Sequence, residues 1–283
     1  MRKVAMVLNG EKPSTLETGA QILERLQARG AEVLLAPSAA RHLGRPDLAM
    51  AGEQAWAAVD VLIVLGGDGT LIRAVQRVAP YGVPVLGINT GHLGFLTAME
   101  SGEALSRLDR VLDGEYVLEE RVMLRAAVER EGVPVSELSA LNDAVISKGP
   151  RARMVHLEVS VGETQVARYR ADGVIVATPT GSTAYSLSAG GPVVDPTVDC
   201  FLITPICPHT MSARSIVVGA DDAVAIRVVA SPGEVGLSAD GSDPFPLVPG
   251  DVVRVERAPY PARLVRLPGY RFYDVLRQKL SGV

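Results

Sequence analysis

The sequence VLIVLGGDGT, residues 61–70, joins an uninterrupted apolar run to a turn that contains three glycines. Five consecutive apolar residues are typical of a strand that is covered on both faces, as the central strands of parallel sheets are. The residues that follow, 71–78, have the spacing of an amphipathic helix. A strand, a glycine turn and a helix in this order predict one βα unit of an α/β sheet, with a ligand expected at the carboxyl end of the strand.

Strand-like and helix-like segments alternate on both sides of this unit. Strands are predicted at 3–8, 33–36, 59–65 and 83–88, and helices after residue 14, at 48–58 and at 71–78. Ser14 and Glu17 have the spacing of a capping box for the first of these helices. The order predicts parallel strands joined by right-handed crossovers, and therefore an α/β domain over residues 1–115.

The pattern changes beyond about residue 116. Apolar and polar residues alternate at 155–159, 224–228, 252–256 and 263–267, which predicts half-buried antiparallel strands in a mostly β domain over residues 116–268. The last part of the chain, residues 269–283, contains a short helical pattern at Phe272–Leu280. A helix of this length is stable only when it docks, so we expect it to pack back on the first domain.

Composition and charge limit the classes of protein to which the chain can belong. It has 283 residues, of which 47% are hydrophobic and 21% are charged, and this balance supports a globular core. The longest apolar runs are strand-sized and the N-terminal run is too short for a signal peptide, which argues against a membrane protein and favours the cytoplasm. The net charge of −4 provides no basic field for nucleic acid. The two cysteines lack the spacing of a zinc site and are interpreted as buried free thiols.

Asp68 is the unusual residue of the glycine turn. Glycines and the amides at a helix start allow phosphate to approach the backbone. A carboxylate there would repel phosphate unless it binds Mg²⁺ or accepts a proton from a hydroxyl nucleophile. The alternative is an ordinary βα turn in which Asp-Gly is turn chemistry only. The chain contains no Walker-type phosphate loop, so this turn would have to bind the phosphates.

Two further segments offer polar groups at strand ends. The loop at residues 89–96 follows the next strand and would share its edge of the sheet, and His92 within it is interpreted as structural rather than catalytic. Asn142 and Asp143 would point to opposite faces if both lay on a strand. If a turn intervenes, the amide could bind a base edge and the carboxylate the hydroxyls of a ribose; the alternative is a solvated turn.

The segment 172–192 is rich in hydroxyl groups, small residues and glycines around Tyr185. Small residues allow the backbone to touch a ligand, hydroxyls supply hydrogen bonds, and the tyrosine could lie against a ring. The alternative is a loop of turn-forming residues without a ligand. Long ordered loops are often functional, and this one follows a strand that is expected to be buried. A binding role and a ligand-free loop are therefore about equally supported.

Four segments together resemble the bacterial NAD kinases over nearly the whole chain. They are GGDGT at 66–70, Asn142-Asp143, the segment 172–192 and TPICPHTMS at 204–212. The first also resembles lipid kinases and phosphofructokinases, whereas the third is far more specific. The resemblance implies a Rossmann-like α/β domain followed by a β-rich domain. It also implies an enzyme that uses ATP and a divalent metal, Mg²⁺, to phosphorylate the 2′-hydroxyl of the adenosine ribose of NAD and so make NADP.

The resemblance implies roles for individual residues as well. Asp68 corresponds to the catalytic base, and Asn142 and Asp143 correspond to the pair that holds adenosine. The other residues expected at the phosphates and along the dinucleotide are Gly66, Gly67, Gly69, Thr70, Arg73, Arg153, Arg170, Asp172, Thr180, Thr183, Ala184, Tyr185, Ser186, Leu187, Ser188 and Ser242. Ser242 stands where members of the family often have Gln, so one polar contact differs.

The same resemblance, together with the strand edges of a β-rich domain, predicts a homo-oligomer, a dimer or a tetramer. The resemblance implies NAD and ATP as small-molecule partners, while the charge and the short apolar runs argue against nucleic acid and membrane. Polyphosphate remains an alternative donor and NADH an alternative acceptor. A lipid kinase with the same glycine motif is a competing interpretation, but it would need an apolar acceptor tunnel. A non-catalytic NADP-binding sensor is another, and it would keep the pocket without needing Asp68.

Overall fold

The computed structural model describes residues 2–91, 94–150, 153–209 and 213–280. The chain divides into two compact units, here called unit 1 and unit 2. Unit 1 consists of Met1–Glu120 together with Ala262–Val283, and unit 2 is Arg121–Pro261. Within the described ranges, no helix is both long enough and apolar enough to cross a membrane.

Unit 1 alternates strands and helices. Its strands, numbered by their place in the chain, are β1 (Lys3–Leu8), β2 (Glu32–Leu35), β3 (Val61–Leu65), β4 (Val85–Asn89), β5 (Met99–Glu100), β6 (Val117–Arg121) and β19 (Ala262–Arg266). Its helices are α1 (Pro13–Ala28), α2 (Pro37–His42), α3 (Asp68–Val78), α4 (Ser101–Leu112) and α6 (Phe272–Leu280).

These strands form a sheet with the order β2-β1-β3-β4-β19-β6, and β5 pairs with β4. β1 is parallel to both β2 and β3, and β3 is parallel to β4, which confirms the predicted α/β domain. All five residues of β3 are buried, as its unbroken apolar sequence indicates. β2 lies on one side of β1 and β3 on the other, so the strand order reverses there. Such a switch point leaves a crevice at the carboxyl ends of β1 and β3.

The prediction that residues 263–267 form an antiparallel strand of the second domain is wrong. β19 instead pairs in parallel with β4 in unit 1. Its alternating arginines suggested one solvent-facing side, but Arg266 is only 4% exposed. Since β6 and β19 both join the first sheet, the units divide at Glu120 and Pro261 rather than at residues 115 and 268.

Three local predictions in unit 1 also differ from the structure. α3 begins at Asp68 rather than at residue 71, so Asp68 lies in the first helical turn. The region 48–58 contains 3-10 turns instead of an α-helix, and α2 was not predicted. No capping box starts α1, because the helix begins with Pro13, whose fixed φ suits a first helical position, and no side chain caps it.

The C-terminal helix α6 packs on unit 1, as predicted. The ring of Phe272, its first residue, lies 6.2 Å from the ring of Phe95, measured between centroids. Val275, one turn further, is buried. The short helix is therefore stabilised by apolar contacts with the unit that contains the glycine turn.

Unit 2 is mostly β, as predicted. Its strands are β7 (Leu124–Arg130), β8 (Val133–Ala140), β9 (Asp143–Lys148), β10 (Val155–Val161), β11 (Thr164–Ala171), β12 (Gly173–Ala177), β13 (Cys200–Ile206), β14 (Ile216–Gly219), β15 (Val224–Ala230), β16 (Val235–Ala239), β17 (Phe245–Leu247) and β18 (Val252–Arg257), and its short helix is α5 (Tyr185–Ser188). They form two sheets, with the orders β11-β10-β15-β18-β7-β8 and β14-β13-β12-β9-β16-β17. Buried apolar residues of both sheets belong to one core, so the sheets pack face to face.

Both cysteines are free thiols, as expected, but only one of them is buried. Cys200, the first residue of β13, is buried, whereas Cys207, directly after the end of that strand, is exposed. The expectation of two buried thiols is therefore wrong for Cys207, because the chain leaves the core at the end of β13.

Candidate active site

The glycine turn of unit 1 lies between β3 and α3. A Cβ atom at Gly66 would lie 2.9 Å from Oγ1 and 3.0 Å from Cβ of Thr70, so this position requires glycine. Gly67 and Gly69 are exposed, and an added Cβ would meet nothing within 4 Å at either position. The backbone at Gly67 and Gly69 is therefore open at the start of α3. The N–H groups of Asp68 and Gly69 come before the first backbone hydrogen bond of the helix, which Thr70 donates to Gly67.

The carboxylate of Asp68 is fixed by the backbone that follows β4. Its Oδ2 accepts the N–H of Phe95 at 2.9 Å and its Oδ1 accepts the N–H of Leu96 at 3.2 Å. Gly94 allows this approach, because a Cβ there would collide with the carboxylate. The sequence pattern identified Asp68 as unusual, but it did not predict that residues 94–96 bind it. His92 lies outside the described residues.

Two adjoining cavities of about 530 Å³ each open at the switch point of the first sheet. Both are lined by Val7 of β1, Ser38 of α2, and Thr70 and Arg73 of α3. Arg73 is exposed and lies one helical turn after Thr70. The carboxyl end of β1 and the first turns of α3 thus border a cavity with a cation on its wall, as expected for a site that binds phosphate.

In unit 2, Asp143 is the first residue of β9 and Asn142 lies in the bend before it. Strand alternation therefore does not force the two side chains to opposite faces. Asp143 is 5% exposed. Its burial, together with the nearby negative charge of Asp240, raises the pKa of the Asp143 carboxyl to about 7.

Asp240, which the sequence analysis did not single out, organises this bend. One of its carboxylate oxygens accepts the N–H groups of Asn142 and Asp143 at 2.8 and 3.0 Å, and the other accepts the N–H of Leu141 at 2.7 Å. Asp240 itself has a φ of 48°, in the left-handed region. A carboxylate that binds three successive N–H groups fixes the backbone from which Asn142 and Asp143 project.

The hydroxyl-rich loop packs on the same bend. The N–H of Thr178 donates to the carbonyl of Asn142 at 2.8 Å, and its hydroxyl donates to the carbonyl of Leu141 at 2.5 Å. Gly181 lies so close to the backbone of Asn142 that a Cβ would collide with it. The structure therefore brings together the pair Asn142-Asp143 and the beginning of the loop, two features that are far apart in the sequence.

Several hydroxyls of the loop bind within the protein. Ser186 is buried and its Oγ lies 3.0 Å from Oγ1 of Thr204. Thr180 is buried and its Oγ1 accepts a hydrogen bond of 3.2 Å from the buried Arg121. Thr183 donates to the carbonyl of Thr180 at 3.3 Å. These hydroxyl groups stabilise the conformation of the loop. The sequence analysis had interpreted them as hydrogen-bond donors to a ligand and did not predict this structural role.

Other predicted residues of this loop remain accessible. Tyr185 is 46% exposed. Ser188 is exposed, and Ala184 and Leu187 are half-buried. The loop thus presents an aromatic ring and small polar groups on one side while its buried hydroxyls fix the other.

The remaining predicted residues of unit 2 are exposed or half-buried. Asp172 forms an ion pair with Lys148 at 2.9 Å, and Arg153 and Arg170 are exposed. Ser242 is also exposed, and its Oγ accepts the N–H of Ala239 at 3.1 Å, which closes the turn after β16. Residues 210–212 of the fourth motif lie outside the described residues.

Comparison with protein families identifies both halves of the chain. Residues 4–116 match the model of the ATP-NAD kinase N-terminal domain, and residues 141–267 match that of the ATP-NAD kinase C-terminal domain. The NAD kinase of Symbiobacterium thermophilum is 80% identical over 282 residues, which cover 100% of each chain. The NAD kinase of Moorella thermoacetica is 48% identical over 99% of this chain and 90% of its own.

Two solved structures resemble the fold. Yeast NADH kinase, complexed with NADH, has a TM-score of 0.89 and 28% sequence identity, and the match covers 100% of this chain and 88% of the yeast chain. An NAD kinase from Archaeoglobus fulgidus, in complex with ATP, has a TM-score of 0.76 and 26% identity, with 99% of each chain covered.

Proposed function

The chain belongs to the NAD kinase family and phosphorylates NAD to NADP, and we propose that Asp68 is the base of this reaction. In this proposal the Asp68 carboxylate accepts the proton of the 2′-hydroxyl of the adenosine ribose as the hydroxyl oxygen attacks the γ-phosphorus of ATP. The bond between that phosphorus and the β–γ bridging oxygen breaks, and ADP leaves. A carboxylate in place to take the proton supplies general-base catalysis.

The observation that carries this proposal is how Asp68 is held. Each carboxylate oxygen accepts one backbone N–H, from Phe95 and from Leu96. Because the two oxygens of a carboxylate offer about four lone-pair positions, two bonds leave acceptor capacity for a hydroxyl. The side chain is thus oriented before substrate arrives, and orientation is a large part of the rate enhancement in phosphoryl transfer.

The donor phosphates would bind at the open side of the glycine turn. The backbone at Gly67 and Gly69 is unobstructed, and Arg73 lines the cavities at the switch point. The amides at the start of α3 and the guanidinium of Arg73 would stabilise the charge that develops on the transferring phosphoryl group.

The chain can supply part of a magnesium site. Among the described residues, no three His, Cys, Asp or Glu side chains come together to hold a metal ion. This fits Mg²⁺, which is usually bound by substrate phosphates, water and one or two carboxylates rather than by a protein cage. Asp68 is the carboxylate available at the turn. When bound, Mg²⁺ would neutralise charge on the phosphates.

The adenosine of NAD would bind to the bend of unit 2. The amide of Asn142 can pair with a base edge, and the carboxylate of Asp143 can accept hydrogen bonds from ribose hydroxyls. The residues that would line the rest of the dinucleotide are Arg153, Arg170, Asp172, Thr180, Thr183, Ala184, Tyr185, Ser186, Leu187, Ser188 and Ser242. Of these, Thr180 and Ser186 would act by shaping the loop, since they are buried and hydrogen-bonded within it.

We further propose that the enzyme is a homo-oligomer that acts in the cytoplasm. Unit 2 has exposed edge strands, such as β8 with Val133 and Val135 at 60% and 42% exposure, which oligomerisation would cover. Two free thiols are typical of proteins in a reducing compartment.

Phosphate transfer from ATP to NAD, NADH and diacylglycerol, measured side by side, tests the function. We expect NADP as the product, with no lipid phosphate, and a second series with polyphosphate determines whether ATP is required. A protein that binds NADP without turning over ATP would instead be a sensor. Loss of turnover in Asp68→Asn tests the assigned base separately.

A further inference from the structure

We propose that Arg266 and Tyr270, which lie four positions apart near the C-terminal end of the chain, are positioning residues for Asp68. They bind the backbone of residues 95–97, and the N–H groups of Phe95 and Leu96 bind the carboxylate. This inference rests on the proposed role of Asp68 as the base, and it adds two residues that no motif of the sequence marks as part of the catalytic apparatus.

Among the residues that the structure describes, only the backbone of Phe95 and Leu96 donates hydrogen bonds to the Asp68 carboxylate. Their N–H groups lie 2.9 and 3.2 Å from the two carboxylate oxygens. The carboxylate is thereby oriented by a loop rather than by its own helix. The position of the base is therefore only as well defined as the position of that loop.

Arg266 binds the carbonyl groups of the same loop. Its Nη1 donates to the carbonyl of Leu96 at 2.7 Å and is 3.4 Å from that of Thr97. The guanidinium is oriented in turn by Glu119, whose Oε1 accepts the Nε–H at 3.0 Å. The side chain of Arg266 is only 5% exposed. A buried, doubly anchored guanidinium is a rigid support, because its planar fork leaves little freedom.

Tyr270 completes this support. Its hydroxyl donates to the carbonyl of Phe95 at 2.9 Å, and its ring lies 3.9 Å from the guanidinium carbon of Arg266. Two residues later, Phe272 packs against the ring of Phe95. Phe95 and Leu96 are thus bound through their N–H groups by Asp68 and through their carbonyls by the C-terminal segment.

This arrangement predicts a kinetic effect that a merely stabilising contact would not have. If the hydrogen bonds from Arg266 and Tyr270 are lost, residues 95–97 can move, and the Asp68 carboxylate moves with them. The residues proposed to bind NAD lie in unit 2 and are unaltered. A displacement of about 1 Å in a catalytic group can reduce the rate by about 10²-fold. The loss should therefore appear in kcat, with the KM for NAD nearly unchanged.

The experiment compares two variants with two matched controls in the full-length enzyme. Tyr270→Phe removes only the hydroxyl that binds Phe95, and Arg266→Lys keeps the charge but cannot bind Glu119 and Leu96 together. The controls are Tyr81→Phe, at a tyrosine of unit 1 that is 45% exposed, and Arg263→Gln, at a partly exposed arginine of the same strand that pairs with Glu120.

We expect kcat to fall by about 3- to 10-fold in Tyr270→Phe and by about 10- to 100-fold in Arg266→Lys, with the KM for NAD within about twofold and both controls near wild type. In an Asp68→Asn background, the same two changes should cause no further loss of kcat, because their effect passes through Asp68. If Arg266→Lys does not fold, the kcat of Tyr270→Phe alone tests the positioning role.

Unchanged kcat in Tyr270→Phe, or an equal additional loss in the Asp68→Asn background, would overturn the positioning role. These outcomes leave the proposed function intact as long as Asp68→Asn itself loses at least about 100-fold in turnover but keeps measurable activity. An active Asp68→Asn enzyme would overturn the assignment of the base, and the positioning role with it, so the two failures are distinguishable.

Discussion

Asp143 and Asp240 are joined by two hydrogen bonds, and each residue donates one of them through its backbone N–H. The N–H of Asp143 donates to Oδ1 of Asp240 at 3.0 Å, and the N–H of Asp240 donates to the carbonyl of Asp143 at 2.9 Å. The Asp143 side chain is therefore held beside a second negative charge in a buried position, which raises its pKa to about 7. A carboxyl kept in such a position at the end of a strand is a candidate for ligand binding rather than for stability alone.

Asp143→Ala should raise the KM for NAD more than the KM for ATP. A carboxylate that accepts ribose hydroxyls contributes about 1.5–3 kcal/mol for each charge-assisted hydrogen bond, and the loss falls on the acceptor substrate. Steady-state kinetics with each substrate varied in turn measures the two constants. Equal increases in both would contradict the placement of adenosine at Asp143.

The stability of the free enzyme should depend on the protonation of Asp143. Its pKa is raised from 3.8 to about 7 on folding, so the folded protein binds more protons than the unfolded chain between these values. This contribution is fully present below about pH 4 and is lost as the pH rises through 7. Asp143→Asn, which cannot ionise, should therefore gain stability relative to wild type between pH 5 and pH 8 in thermal unfolding without NAD. A constant difference across this range would contradict the raised pKa.

Asp68→Asn should lose at least about 100-fold in turnover while it still binds NAD within a few fold. The variant should also be less stable by about 1–3 kcal/mol, because an amide has one acceptor oxygen and its NH₂ group would face the N–H of Phe95 or Leu96.

The matched control for Asp68→Asn is Asp60→Asn. Asp60 is an exposed residue of the same unit, and its Oδ2 accepts the N–H of Lys3 at 2.7 Å. It should lose little turnover. Activity close to wild type in Asp68→Asn would show that the glycine turn is a scaffold and that the base lies elsewhere.

Gly94→Ala should nearly abolish turnover, because the new methyl group would occupy the position of the Asp68 carboxylate and displace it. Gly102→Ala is the control, since an added Cβ there meets nothing within 4 Å and the residue lies in the first turn of α4. Circular dichroism and kcat, measured on both variants, separate displacement of the base from loss of the fold. Full activity in Gly94→Ala would contradict the contact between Gly94 and Asp68.

The enzyme should be a dimer or a tetramer at assay concentration. The exposed apolar side chains of edge strand β8 would then be covered by another subunit. Light scattering coupled to gel filtration, with activity measured across the peak, tests this expectation. A fully active monomer would overturn it.

Local sequence determined the elements whose patterns need no distant partner. The apolar run of β3, the glycine turn and the period of α6 follow from neighbouring residues, because strand and helix periodicities are local properties. The order of strand and helix segments was sufficient for the parallel sheet of unit 1, since short crossovers limit the possible topologies. Motif order was likewise enough to relate the chain to a family, and it singled out Asp68, Asn142 and Asp143 as candidate site residues.

Only tertiary structure decided which groups these residues meet. Asp68 is bound by an amide 27 residues away, Asp143 by a carboxylate 97 residues away, and Leu96 by a guanidinium 170 residues away. The pattern of alternating arginines also placed β19 in the wrong domain, since a buried arginine cannot be told from an exposed one until its acceptors are known. Hydrogen bonds across such separations form only when the chain brings distant residues together, and local periodicity does not reveal which residues those are. The sequence by itself therefore identified the candidate base, and the fold determined how that base is held.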